Sequence, residues 1–280
     1  MVKLKFPSRD EGVAVVVDLD KCIGCRACQV ACQEWNGRRA LRTEFSPTFT
    51  NPRDLDANAW KVVFFNEFPV SKTLSLEGAQ LSLSTVEVIP VPYNCLHCAK
   101  APCARACPVG AIKVSPEGAV VIEASECIGC GYCLDACPYN VPRRGQDGKY
   151  YKCTFCVDRI QAGLEPACVD VCPTNVFTFT SMAEAVRIAR SAEAQGRRVY
   201  GLSLDGYVGG RVRWIFVASK DKADRVFPVM FPERATNLNS ARELLEGIAI
   251  PGLSLVTLFA LIVLAVSWLR ARRGSRTGGA

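Results

Sequence analysis

Sixteen cysteines fall into four groups of four, and this grouping limits the chain more than any other feature. The first group is Cys22, Cys25, Cys28 and Cys32, in CIGCRACQVAC. The second is Cys95, Cys98, Cys103 and Cys107, in CLHCAKAPCARACP. The third is Cys127, Cys130, Cys133 and Cys137, in CIGCGYCLDACP. The fourth is Cys153, Cys156, Cys168 and Cys172, in CTFCVDRIQAGLEPACVDVCP. No cysteine is left over. Disulfides do not suit this spacing, because cysteines two residues apart close tiny, strained loops with little entropic benefit. Paired C-x2-C motifs suit zinc, and the second or fourth group alone would pass as such a site. The first and third groups read C-x2-C-x2-C-x3-C, which brings three thiolates together from seven residues. That favours an iron–sulfur cubane, and four groups imply four [4Fe–4S] clusters. No group lacks a ligand, so no [3Fe–4S] cluster is expected.

In two-cluster ferredoxins the last cysteine of each run serves the other run's cluster. The second and third groups are neighbours, so one quartet is Cys95, Cys98, Cys103 and Cys137 and its partner is Cys107, Cys127, Cys130 and Cys133. The first and fourth then pair across the chain, as Cys22, Cys25, Cys28 and Cys172, and as Cys32, Cys153, Cys156 and Cys168. The lone histidine, His97, reads as a packed or hydrogen-bonded loop residue, since four cysteines already complete its group. Arg26, Arg105 and Lys152 lie beside ligands and read as solvated charges that would otherwise tune a potential. Pro108, Pro138 and Pro173 follow the last cysteines of three groups and stop local helices. No acid–base pair, phosphate loop or nucleophile appears, so no catalytic residue is expected.

The fold class expected is α+β: duplicated ferredoxin-like [4Fe–4S] domains over residues 1–180, with an insert at about 37–92. Val13–Leu19 reads as a strand before the first group, and a helical turn runs from Cys28 through Trp35. Trp60–Phe65, Leu83–Val91 and Ala119–Ile122 read as further strands. Ser181 and Glu184 form a capping-box signature for a helix that presents Ala185, Ile188, Ala189 and Ala192 on one face and ends at Gly196. Arg211–Ala218 reads as a strand. Residues 181–246 are expected to form a cap and linker.

Ile248–Leu269 carries no charge over 22 residues. At about 1.5 Å per residue a helix of that length spans roughly 33 Å, enough for a bilayer core. A transmembrane helix is therefore expected at 247–269, followed by a basic tail at 270–280 with Arg270, Arg272, Arg273 and Arg276. The positive-inside rule puts that tail in the cytoplasm and the cluster domain on the periplasmic side of an inner membrane. The N-terminal run is not read as a signal peptide, because Val13–Val17 is short and Asp18 and Asp20 follow. Export would then depend on a partner that carries a signal. The net charge of +7 is spread along the chain without an arginine-rich arm, so no nucleic-acid partner is expected.

The stretches CIGCRACQVACQEWN, NPRDLDANAWKV, CIGCGYCLDACPYNVPR, YKCTFCVDRIQAGLEPACVDVCPT and GGRVRWIFV, with one C-terminal anchor, resemble a known family. They are similar to the iron–sulfur (beta) subunit of membrane-bound respiratory formate dehydrogenases, within the wider set of four-cluster subunits of molybdopterin oxidoreductases. The cysteine pattern is common to the wider set, while EWN, NPRDL and the anchor point more narrowly. The segment around Thr43–Thr50 departs from the family pattern. Some relatives carry tryptophan in place of one cysteine of the third group; Cys130 is present here. The resemblance implies an electron-transfer subunit that takes electrons from a molybdenum- or tungsten-pterin catalytic (alpha) subunit. It would deliver them to a membrane gamma subunit, either a cytochrome b or another quinone-reducing protein. The same relay serving a polysulfide, thiosulfate, sulfoxide or aldehyde enzyme is the main alternative, and a structural zinc-binding membrane protein is the lesser one.

Overall fold

The computed structural model describes residues 12–76, 79–202 and 211–231. The apolar segment 247–269 and the basic tail lie outside the described residues. Among those described, no helix is long and apolar enough to cross a membrane.

The chain opens with β1 (Val13–Asp18), a 3-10 turn at Leu19–Lys21 and α1 (Ala27–Trp35). Two long strands follow, β2 (Lys61–Leu76) and β3 (Ala79–Asn94). The second and third cysteine groups come with α2 (Pro102–Ala106), β4 (Ile112–Val114), β5 (Val120–Ile122) and α3 (Tyr132–Asp135). Then come β6 (Arg143–Arg144), β7 (Tyr150–Tyr151), α4 (Val157–Gln161) and α5 (Ala167–Asp170). The chain closes with β8 (Phe177–Ser181), α6 (Met182–Ala194), β9 (Arg198–Tyr200), β10 (Trp214–Ala218) and α7 (Lys220–Met230).

A four-stranded sheet in the order β8-β1-β10-β9 is the frame. β1 runs parallel to β10 and antiparallel to β8, with Val15 opposite both Trp214 and Phe179. Side chains alternate across a strand, so one sheet has two faces to bury. On one face Ala14, Val16, Ile215 and Val217 pack under α6 through Met182, Ala185, Ala189 and Ala192. On the other, Val13, Val15, Val17, Phe177, Phe179, Trp214 and Phe216 face the cysteine-rich core. A strand buried on both faces reads as a continuous apolar run, which is what VAVVV shows.

The helix expected after Ser181 is present. Ser181 Oγ accepts from the Glu184 backbone N–H at 3.1 Å. Glu184 does not complete the box, because its carboxylate is engaged by Arg187 at 2.5–2.7 Å. At the other end Gly196 is left-handed, and Arg197 N–H reaches back to Ala192 O at 3.0 Å. That is the closure a helix C-terminus favours.

Two findings differ from the sequence reading. The insert contains one hairpin rather than two short strands, with β2 and β3 in unbroken antiparallel register from Lys61–Asn94 to Leu76–Ala79. Pro69, Pro90 and Pro92 look like strand breakers. In a two-stranded ribbon each strand has an open edge, where a missing N–H costs nothing. Residues 181–231 are also more than a cap. They supply β9 and β10, and β10 lies inside the sheet against β1. The parallel β1–β10 pairing joins residues about 200 positions apart, which local patterning does not reveal.

Candidate metal centre

The first C-x2-C motif of each group turns through a left-handed third residue. These are Gly24 (φ 71°), His97 (φ 48°), Gly129 (φ 73°) and Phe155 (φ 62°). One backbone turn is thus used four times, the structural form of the fourfold cysteine repeat. Glycine adopts that conformation freely, and at Gly24 a Cβ would lie 2.7 Å from the Phe65 ring. His97 and Phe155 adopt it at a cost of about 1–3 kcal/mol each. They are held by stacking on one another, with centroids 4.8 Å apart and rings 20° from parallel. That stack brings the turn of the second group against the turn of the fourth.

The last cysteines change partners between groups. Cys22, Cys25 and Cys28 line one recess together with Cys172 from the fourth group. Cys32, one helical turn beyond Cys28 on α1, has Cys153, Cys168 and Cys156 as its thiol neighbours instead. α1 packs on α5, which carries Cys168. A second recess holds Cys95, Cys98 and Cys103 with Cys137 from the third group. Cys107, Cys127 and Cys133 share a small apolar cluster with Cys103, Ile112, Val120 and Leu134. Cys130 is exposed, and Cys133 has Cys103, Cys127 and Cys130 as its thiol neighbours. Among the described residues no three such side chains are close enough together to hold a single metal ion.

Burial favours the protonated thiol at the most enclosed cysteines in the absence of a metal. It pushes Cys28, Cys133 and Cys137 up to about 12 and Cys103 and Cys156 up to about 11. Neighbouring thiols add to the rise at Cys133 and Cys137. Metal binding must therefore displace protons, which ties occupancy to pH. Backbone N–H groups already point at sulfur: Phe155 to Cys153 Sγ at 3.3 Å, Val176 to Cys172 Sγ at 3.4 Å and Tyr150 to Cys127 Sγ at 3.5 Å. Such bonds favour the thiolate.

Lys152 corrects the sequence reading. It is only 4% exposed, and its ammonium donates to the Val120 carbonyl and to Cys153 O. Arg105 is exposed, as expected. Arg26 lies over the Phe65 ring at 4.8 Å and donates to the Phe49 carbonyl. His97 is fully buried, and its Nδ1 accepts from Val120 N–H at 2.9 Å, so it is a packed and hydrogen-bonded residue. Burial, with Lys152 and Arg213 nearby, holds it neutral. The sequence reading missed Lys61. It is 1% exposed, with Nζ 2.7 Å from Asn94 Oδ1 and 4.2 Å from the centre of the Trp214 ring. The available signal was a cation inside the apolar run WKVVFF.

Two family models described as 4Fe-4S dicluster domain match residues 18–111 and 86–182, and together they include all sixteen cysteines. Over 198 residues the chain is 42% identical to the formate dehydrogenase iron-sulfur subunit of Haemophilus influenzae, which is 70% of this chain and 58% of that one. It is 40% identical over 197 residues to the nitrate-inducible formate dehydrogenase iron-sulfur subunit of Escherichia coli, with 70% and 61% covered. It is 33% identical over 177 residues to a sulfite dehydrogenase subunit of Allochromatium vinosum, with 60% and 68% covered. The chain belongs to the 4Fe-4S dicluster iron–sulfur subunits. It spans about 60% of the length of the formate dehydrogenase relatives that it matches. As a dicluster iron–sulfur subunit it binds [4Fe–4S] clusters. The donor set fits them: grouped thiols, N–H groups aimed at sulfur, and buried cations to offset the negative charge.

Proposed function

We propose that the chain is the electron-relay subunit of a membrane-bound formate dehydrogenase, with four [4Fe–4S] clusters on four cross-paired quartets. The quartets are Cys22, Cys25, Cys28 and Cys172; Cys32, Cys153, Cys156 and Cys168; Cys95, Cys98, Cys103 and Cys137; and Cys107, Cys127, Cys130 and Cys133. The single observation that carries this reading is the pair of recesses, each lined by three cysteines of one group and the last cysteine of another. Exposure supports the order just given. The first and fourth quartets each have one exposed cysteine, Cys25 and Cys130, while the two inner quartets have none. The His97–Phe155 stack links the inner two.

When bound, the clusters supply one-electron transfer. The chain holds them in sequence, excludes water from the inner pair and leaves the two ends accessible to partners. The electron donor in this reading is a molybdenum- or tungsten-pterin catalytic subunit. The acceptor is a membrane subunit that reduces quinone. Segment 247–269 would anchor the chain in an inner membrane, with the cluster domain periplasmic and the tail cytoplasmic. A second reading keeps the relay and changes the catalytic partner, and the sulfite dehydrogenase relative favours it.

The test is formate-dependent dye reduction by the complex pulled anaerobically from native membranes through a tag on this chain. Reduction is the expected result. A brown complex that ignores formate overturns the formate assignment, and the copurified large subunit then names the substrate class.

A further inference from the structure

Two ammonium groups lie buried between the quartets. Lys61 and Lys152 are 1% and 4% exposed. Lysine is almost never that buried without a charged partner. Among the described residues no carboxylate pairs with either one. Lys61 has the Asn94 amide oxygen and the faces of Trp214 and Phe177, at 4.2 and 4.6 Å. Lys152 has two backbone carbonyls. These are neutral partners, and a desolvated cation is costly without an anion nearby.

Once the cysteines bind clusters, the anions are their sulfurs, and Lys152 lines the same recess as Cys95, Cys98, Cys103 and Cys137. Around Lys61 the thiols are Cys168, Cys28, Cys153 and Cys32. Around Lys152 they are Cys95, Cys103, Cys153 and Cys137. Mapped onto the quartets, Lys61 meets the first through Cys28 and the second through the other three. Lys152 meets the second through Cys153 and the third through the other three. The cations thus stand at consecutive junctions, and each is surrounded mainly by one inner quartet.

This matters because four thiolates make a cluster site net negative, and each electron gained adds a further negative charge. At the outer quartets water reaches Cys25 and Cys130 and screens that charge. At the inner quartets the low dielectric magnifies it, and an uncompensated inner cluster would resist reduction. A fixed ammonium beside the sulfurs offsets the added charge without any proton moving.

Building on the relay reading, we propose that Lys61 and Lys152 are positioning residues that raise the reduction potentials of the two inner clusters, so that electrons cross the buried middle of the relay. Lys61 acts on the cluster of Cys32, Cys153, Cys156 and Cys168. Lys152 acts on that of Cys95, Cys98, Cys103 and Cys137.

The experiment is a dithionite titration followed by electron paramagnetic resonance on the intact complex. It compares the native chain with Lys61→Met, Lys61→Arg, Lys152→Met and Lys152→Arg. Each Met variant is expected to shift one inner cluster's redox equilibrium at least tenfold toward the oxidised form, about 59 mV for one electron. The outer clusters should move less, and the Arg variants should restore most of the shift. Met variants with full iron and unchanged inner potentials overturn the proposal and leave the relay reading intact. If a Met variant loses iron, the Gln variant at the same position decides. Iron retained by Arg but lost by Gln supports the need for charge, and iron lost by both overturns it in favour of a requirement for lysine's shape. A native complex with no clusters would overturn the relay reading itself.

Discussion

Cys32 and Cys28 sit one helical turn apart on α1 and serve different neighbours. Both lie near Cys168, but Cys28 otherwise has Cys22 and Cys172 as neighbours, while Cys32 has Cys153 and Cys156. A Cys32→Ser chain should therefore perturb the spectrum of the cluster on the fourth group and spare the one on Cys22, Cys25 and Cys28. Perturbation of the latter would break the cross-pairing. Gly129 makes a second, independent prediction. It is left-handed at φ 73°, and an added Cβ would run into the Gly148 backbone oxygen. Gly129→Ala should destabilise the chain by about 1–3 kcal/mol and lower iron content at the third group, read by denaturant midpoint and iron analysis. The sixteen sulfurs were legible from spacing alone, because a cubane needs closely spaced thiolates and little else at sequence level. Lys61 and Lys152 were not. A lysine beside a ligand is normally solvated, and only the three-dimensional seat among thiols from two groups shows otherwise.

β1 and β10 are joined end-on by one acidic side chain just ahead of the first cysteine group. Asp20 accepts from Arg197 at 2.7 Å, from Ser219 N–H and Oγ at 2.7 and 2.9 Å, and faces Lys222 at 3.3 Å. Burial alone would raise its carboxyl, but the bonds from Arg197, Ser219 and Lys222 outweigh it and leave it below the usual range. A carboxyl lowered in the folded state contributes stability above its unfolded pKa of about 4, and that stability is lost as pH falls through the lower folded value. Asp20→Asn should cost about 1 kcal/mol at pH 7, since half-exposed pairs are worth about 0.2–1 kcal/mol each. Its denaturant midpoint should converge on the native one below about pH 4. A gap that persists at low pH would mean the residue acts through packing instead. The elements around this hub differ in legibility. The strand at Val13–Asp18 and the helix after Ser181 follow from an apolar run and an N-cap, which are local signals. The parallel pairing of β1 with β10 is a long-range contact with no local signature, and the extent of the β2–β3 hairpin was hidden by its prolines.

At the scale of the molecule, one sheet carries α6 on one face and the cysteine-rich core on the other, and the proposed relay reads that core as an alternating series of quartets. Burial is graded along that series, and the fully enclosed cations lie toward its middle. The central claim is that this series is a relay of four clusters filled by formate. The most direct measurement is iron and acid-labile sulfide per chain in the anaerobically purified native complex, with paramagnetic resonance before and after formate. The account predicts about sixteen iron and sixteen sulfide per chain and cluster signals that appear when formate is added. A colourless complex containing zinc without sulfide would contradict the clusters, and a full complement of clusters that dithionite reduces but formate does not would contradict their place in a formate dehydrogenase.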